Sequence, residues 1–256
     1  MACLLQQWGV CMISRHFGDA VLSTMGMSKR YARMIGVVYF SFFLTSILSQ
    51  LFFKGLIVRD DAAATATHIL THESSFRLGI ALGLIETGLY VALIALFYDL
   101  FRPVSRRVSL IAAFFGLVGC AIQASGSVFD LFALALLRSG QAPVHFNAEQ
   151  LPWLALLFLK MEDQSGSVAL VFFAVYCLLI GYLILSSTFL PRFLGALMVL
   201  AGVGWLTFLY APLADHLSPY IEIVGIVAEG LLMLWLLVLG VNAERWQEQA
   251  LSKLNS

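Results

Sequence analysis

SVALVFFAVYCLLIGYLIL, residues 167–185, carries no Lys, Arg, His, Asp or Glu over nineteen positions. A helix rises about 1.5 Å per residue, so roughly 20 residues cover a hydrocarbon core roughly 30 Å thick. Five further stretches read the same way: Met34–Phe53, Leu78–Phe97, Leu110–Phe129, Phe193–Pro212 and Ile221–Val241. None of the six contains Lys, Arg or His. The predicted fold class is therefore all-α, a polytopic transmembrane helix bundle with six spans, and its first partner is the lipid bilayer.

Composition agrees. Hydrophobic residues make up 61% and charged residues 12%, against roughly 45–50% and about 25% in soluble domains. So apolar a chain has no polar shell with which to cover a soluble core. Fifteen Lys+Arg balance fifteen Asp+Glu, so no global field recruits nucleic acid. The distribution of basic residues carries more information. With the N-terminus in the cytoplasm, ten basic residues fall inside and five outside. The group Arg102, Arg106 and Arg107 in one short loop weighs most. This predicts an inner (cytoplasmic) membrane protein with both termini cytoplasmic.

Three regions follow. Residues 1–30 form a cytoplasmic N-terminal segment, 31–243 the six-span domain, and 244–256 a cytoplasmic tail. In the first region the apolar pieces are broken by Gln6, Gln7, Arg15, His16 and Asp19. That is too interrupted for a span, and no basic start precedes an apolar run as in a signal peptide. Met25 and Met27 precede the basic anchor Ser28-Lys29-Arg30, which suggests a natural start near Met27. Cys120 and Cys177 fall inside spans and Cys3 and Cys11 precede them, so no disulfide is predicted in the outer loops.

Two long outer loops each hold a predicted extra helix at the membrane surface. In DAAATATHILTHE (61–73), Asp61 suits an N-cap before an alanine-rich run. Ala62, Ala66, Ile69 and Leu70 form its apolar face. In LPWLALLFLKM (151–161), Pro152 suits a first turn and Trp153 the headgroup level. Glu162–Gly166 is read as a break before the fourth span, residues 213–220 as a short third outer loop, and Trp246, like other Trp and Tyr near span ends, as an interfacial belt residue. Apolar character around the third span runs from Val108 to Leu137 with Asp130 inside it, leaving the depth of Asp130 open between a tilted helix and a projecting one.

Three carboxylates fall within spans: Glu86, Glu222 and Glu229. A charge at mid-membrane costs at least about 2.5–3.5 kcal/mol on insertion scales, which makes such residues functional candidates. Glu222 is placed to reach the interface, whereas Glu86 and Glu229 lie near the middle. Gly79, Gly83 and Thr87 form a small-residue stripe beside Glu86. Glu222, Gly225 and Glu229 share one face at i, i+3 and i+7. Both central carboxyls are thus predicted to face the bundle interior, either as a proton- or cation-handling site or as bridges between helices. Gln50, Gln123 and Asp130 have the same two readings.

His68, His72, His145 and His216 all fall on the predicted outer side. His68 and His72 at i, i+4 share a face with Asp61, a pattern that could contribute to a zinc site. A solvated polar face or a pH-responsive surface explains it as well. Beyond this weak zinc alternative no cofactor is indicated. HExxH, GxSxG, Walker and CxxC signatures are missing, which weighs against an enzyme.

Several strings together resemble the DUF4386 family of bacterial membrane proteins. They are ARMIGVVYFSFFLTSILSQLFF (32–53), DAAATATHILTHESSFRLGIAL (61–82), AAFFGLVGCAIQA (112–124), LALLFLK (154–160), VFFAVYCLLIGYLI (171–184), LPRFLGALMVLAGVGWL (190–206) and EGLLMLWLLVLGVN (229–242). The resemblance implies a helical membrane protein beginning close to the first span. It supplies no activity and no site residues. Three functions remain open: a transport-like or accessory component using its intramembrane carboxylates, a sensor or scaffold serving a membrane partner or a second copy, and a metal-dependent lipid enzyme using the outer His and Asp groups.

Overall fold

The computed structural model describes residues 29–58, 60–139 and 150–254. The segment before Lys29, the suggested start near Met27, Cys3, Cys11, His16 and His145 lie outside the described residues. Among these residues there are helices and no strands. In chain order they are α1 (Lys29–Phe53), α2 (Ala62–Thr71), α3 (Glu73–Phe101), α4 (Arg106–Ser139), α5 (Leu151–Ser186), α6 (Arg192–Trp205), α7 (Ala211–Val238) and α8 (Ala243–Leu254). A 3₁₀ turn, Leu206–Leu209, prolongs α6.

Six of these elements (α1, α3, α4, α5, α6 with its 3₁₀ turn, and α7) are long and apolar enough to cross a membrane. They close into a ring in the order α1, α3, α4, α5, α6, α7 and back to α1. Large apolar side chains such as Val37, Ile47, Phe114, Val203 and Ile226 stay exposed on its outside. A soluble monomer rarely shows so continuous an apolar surface; here it is the surface that lipid covers. An even number of crossings puts Lys29 and α8 at one face of the bundle and α2 at the other.

Small residues set the closest helix contacts. A Cβ at Gly195 would lie 2.8 Å from the Gly181 carbonyl oxygen, and one at Gly202 would lie 2.9 Å from that of Ala174. The α5–α6 backbones therefore touch. Gly36 similarly admits the Leu236–Leu237 backbone of α7 against α1. At the end of α7, Gly240 turns the chain with φ 72° and donates to the Trp235 carbonyl at 2.9 Å, a left-handed C-terminal cap.

Three sequence expectations need correction. First, LPWLALLFLKM is not a separate surface helix: it continues through Glu162–Gly166 into the fourth span as the 36-residue α5. Polar residues in mid-helix cost little beside what the long α4–α5 pair gains, and Ser165 Oγ donates to the Ile122 carbonyl at 3.1 Å across that pair. Second, residues 213–220 are helical rather than a loop, because Pro212 starts α7 early. Third, Trp246 is not an interfacial belt residue. It is 3% exposed and its Nε1–H donates to the Leu100 carbonyl at 2.9 Å.

The expected N-cap at Asp61 is present: its Oδ1 accepts from the Ala64 N–H at 2.9 Å. The helix it starts rests on protein as well as facing outward, since α4 and α5, at about 51 and 54 Å, overrun the hydrocarbon thickness. Ala62, Thr65, Ala66 and Ile69 of α2 are buried, while Leu70 is exposed. Ile69 joins Phe76, Leu134 and Leu159 in a small core at this face. The larger core, with Tyr39, Phe97, Tyr176, Leu236 and Trp246, fills the opposite half. A cavity separates the two.

Candidate functional site

The cavity has a volume of about 610 Å³. Its walls come from α1, α3, α4, α5, the end of α6 with its 3₁₀ turn, and α7. Along α7 the lining runs from Glu222 to Glu229, and along α4 from Gln123 to Asp130. These two intervals are two helical turns each, whereas Phe42–Phe53 on α1 is three, so the lining extends about 10–17 Å along the helices.

Five carboxylates line it: Asp130, Glu162, Asp163, Glu222 and Glu229. Among the described residues the lining contains no Lys, Arg or His. Arg77 and Arg138 pair with Glu73, at 2.7 and 3.5 Å, and Lys160 with Asp60 at 3.2 Å. Lys54 lines a separate shallow pocket with His68 and His72. The acidic lining is therefore not neutralised by a basic side chain from its own walls.

Glu229 is the deepest of the five, about 14 Å along α7 from Val238. Tyr39 of α1 donates its hydroxyl to Glu229 Oε2 at 3.0 Å. Asp130, 7% exposed, faces the cavity where Gly126, one turn earlier, lets Glu162 and Ser165 of α5 approach α4. Gln50 and Gln123 also line the space, and Ser49 donates to the Gly79 carbonyl at 3.0 Å beside it.

Six aromatic rings share the lining: Phe42, Phe53, Tyr90, Phe173, Trp205 and Phe208. Phe42 and Tyr90 have centroids 4.8 Å apart, and Tyr90 and Phe173 5.1 Å. Trp205 and Phe208 form a second group at 5.9 Å. Next to Tyr90, at 5.9 Å between centroids, lies Tyr176, whose buried hydroxyl has no hydrogen-bond partner among the described residues.

The structure divides the sequence candidates. Glu229, Glu222, Asp130 and Gln123 meet around one cavity, together with Gln50. Glu86 does not belong to it; it sits half-buried on α3, near Ser46 of α1. His68, His72 and Asp61 do not converge. His68 Nδ1 lies 3.1 Å from the Gly55 carbonyl oxygen, His72 Nδ1 lies 3.2 Å from that of His68, and Asp61 caps α2. Among the described residues no three His, Cys, Asp or Glu side chains group so as to hold a metal ion. Cys120 and Cys177 are buried thiols. Glu162 and Asp163 were missed in the sequence because they read as a helix break, and the aromatic wall was missed because it is assembled from separate spans.

A family profile described as "Domain of unknown function (DUF4386)" matches residues 34–240. The chain belongs to the DUF4386 family. The match takes in all six spans of this DUF4386 protein and every cavity-lining residue. An uncharacterized protein of Archaeoglobus fulgidus is 26% identical over 109 residues, covering 43% of this chain and 51% of that protein. The chain thus spans about half the length of that curated relative. No solved structure matches.

Proposed function

We propose that this DUF4386 protein is a transport-like or accessory membrane component that receives a cation in the cavity, with Glu229 as its deepest carboxyl. The observation that carries the reading is the lining itself, five carboxylates without a basic side chain among the described residues. In a cleft with low-dielectric walls such a lining focuses a negative potential and raises the local concentration of cations. We orient the protein with the α2 face outside. In support, Arg33, Arg102, Arg106, Arg107, Arg192 and Arg245 all lie at the face that carries α8, which is the bias of cytoplasmic loops. The larger core then lies on the inner side of the cavity.

The test is thermal unfolding of the purified protein in lipid nanodiscs, with a panel of inorganic and organic cations at constant ionic strength. A bound cation raises the midpoint in proportion to RT ln(1 + [L]/Kd). At least one cation is expected to stabilise the wild type, with the shift lost in Glu229→Gln. If no cation shifts the midpoint, or the shift survives unchanged in Glu229→Gln, the reading is overturned.

A further inference from the structure

The aromatic wall narrows the class of cation. Building on the cation-binding reading above, we infer that the occupant is an organic cation, a protonated amine or quaternary ammonium with apolar substituents, held between the rings of Trp205, Tyr90 and Phe173 and the carboxylates Glu222 and Glu229.

Size is the first argument. Small-molecule sites occupy roughly 300–1,000 Å³, and this cavity measures about 610 Å³. An inorganic ion without its hydration shell would leave most of that space to on the order of twenty waters, at about 30 Å³ each.

Geometry is the second. A divalent metal needs several oxygens converging at about 2.0–2.6 Å on one point. Here no three carboxylates of the described residues group to hold a metal ion, and Glu222 and Glu229 are separated by about 10 Å along α7. The indole of Trp205 occupies the interval between them: a Cβ at Gly225 would lie 2.9 Å from its Cε2. Carboxylate, indole and carboxylate alternate along one wall. That spacing suits a cation with volume, not a point charge.

The third argument is chemical. An aromatic face attracts a cation within about 6 Å of its centroid, most strongly for Trp and when water is excluded. Phe42, Tyr90 and Phe173 form a continuous wall with centroid spacings of 4.8 and 5.1 Å, and the Trp205–Phe208 pair adds a second. Rings of this kind add little for a strongly hydrated metal ion, whereas a soft, weakly hydrated ammonium gains from both rings and carboxylates. Tyr176, packed on Tyr90 behind this wall, is 2% exposed, and its hydroxyl lacks a partner among the described residues.

The test measures equilibrium binding of radiolabelled benzyltrimethylammonium to the full-length protein in nanodiscs, with competition by NaCl, MgCl₂ and tetramethylammonium. Neopentylbenzene serves as the uncharged isostere. Saturable binding is expected, displaced by tetramethylammonium and not by the isostere. It should weaken about tenfold or more in Trp205→Leu, be retained in Trp205→Phe, and be lost in Glu229→Gln. Retention in Trp205→Phe shows that the protein folds with this position changed. If benzyltrimethylammonium does not bind while Na⁺ or Mg²⁺ stabilises the protein through Glu229, the organic-cation inference falls and the cation reading stands. If Trp205→Leu binds as wild type does, the aromatic inference falls. If the isostere competes equally, or no cation of either class binds, both fall.

Discussion

The indole of Trp205 lies so close to Gly225 that a Cβ there would meet its Cζ2–Cε2–Nε1 edge, with Nε1 at 3.2 Å and Cε2 at 2.9 Å from that Cβ position. Gly225 is one turn from both Glu222 and Glu229, so the contact sets a ring between two carboxylates. Trp205 is the last residue of α6, just before the 3₁₀ turn. Gly225 is thus the residue that admits the indole to the cavity wall.

Gly225→Ala should therefore displace Trp205 rather than simply tighten α7. The expected cost is about 1–3 kcal/mol of stability, as for overpacking elsewhere, together with weaker benzyltrimethylammonium binding. Thermal unfolding and binding measured on one preparation check both. Unchanged binding with unchanged stability would mean that the indole does not need this position.

The Gly225 relationship shows what was legible in the sequence. The i, i+3, i+7 spacing of Glu222, Gly225 and Glu229 reveals a shared face, and the charge-free runs reveal six helices. Asp61 announces its helix because a cap is a local signal, one side chain serving an N–H three residues on. The identity of the ring on Gly225 is not local: Trp205 comes from another span. Glu162–Gly166 misled because polar residues and glycine read as a break, while the pairing of α5 with α4 through Ser165 and Gly126 carries the helix through them. Glu86 and Glu229 looked alike as isolated carboxyls at mid-span, and only the packing of α1 and α3 takes Glu86 off the cavity.

The α5–α6 backbone contact predicts an asymmetry among glycines. Gly195→Leu must push against the Gly181 carbonyl and the Leu185 backbone, so it should cost more than the 1–3 kcal/mol typical of overpacking by about a side chain. A Cβ at Gly88 meets nothing within 4 Å. Gly88→Ala should raise stability by about 0.5–1 kcal/mol through the helix preference for alanine. Folded yield and thermal midpoints of the two variants provide the comparison, and equal effects would rule out the backbone contact.

Helix α8 is expected to behave as part of the bundle rather than as a tail. Asn242 Oδ1 caps it by accepting from the Arg245 N–H at 3.1 Å, and Gln249 Oε1 accepts from the Thr188 N–H at 3.1 Å. Trp246 is its anchor in the larger core. Trp246→Ala should cost about 3–5 kcal/mol, as large core truncations do. Hydrogen exchange over residues 243–254 should rise with it. Trp246→Phe keeps most of the packing and loses the bond to the Leu100 carbonyl, a cost of about 1–3 kcal/mol for the acceptor left buried. Native-like slow exchange over this helix in Trp246→Ala would mean that the anchor lies elsewhere.

Glu86 and Glu229 should separate cleanly when each is neutralised. Glu229 accepts the Tyr39 hydroxyl at the floor of the cavity, whereas Glu86 lies near Ser46 and does not line it. Glu229→Gln is expected to abolish the cation-induced rise in thermal midpoint, and Glu86→Gln to leave it at the wild-type value. Tyr39→Phe removes the donor while keeping the ring against Phe97, whose centroid is 5.8 Å away. The loss should be about 1–3 kcal/mol of stability, because a buried carboxyl is left without that partner. Cation binding should persist in Tyr39→Phe in altered strength, since the cavity and its five carboxylates remain. Loss of the cation response in Glu86→Gln, with Glu229→Gln still responding, would move the site from the cavity to the α1–α3 contact.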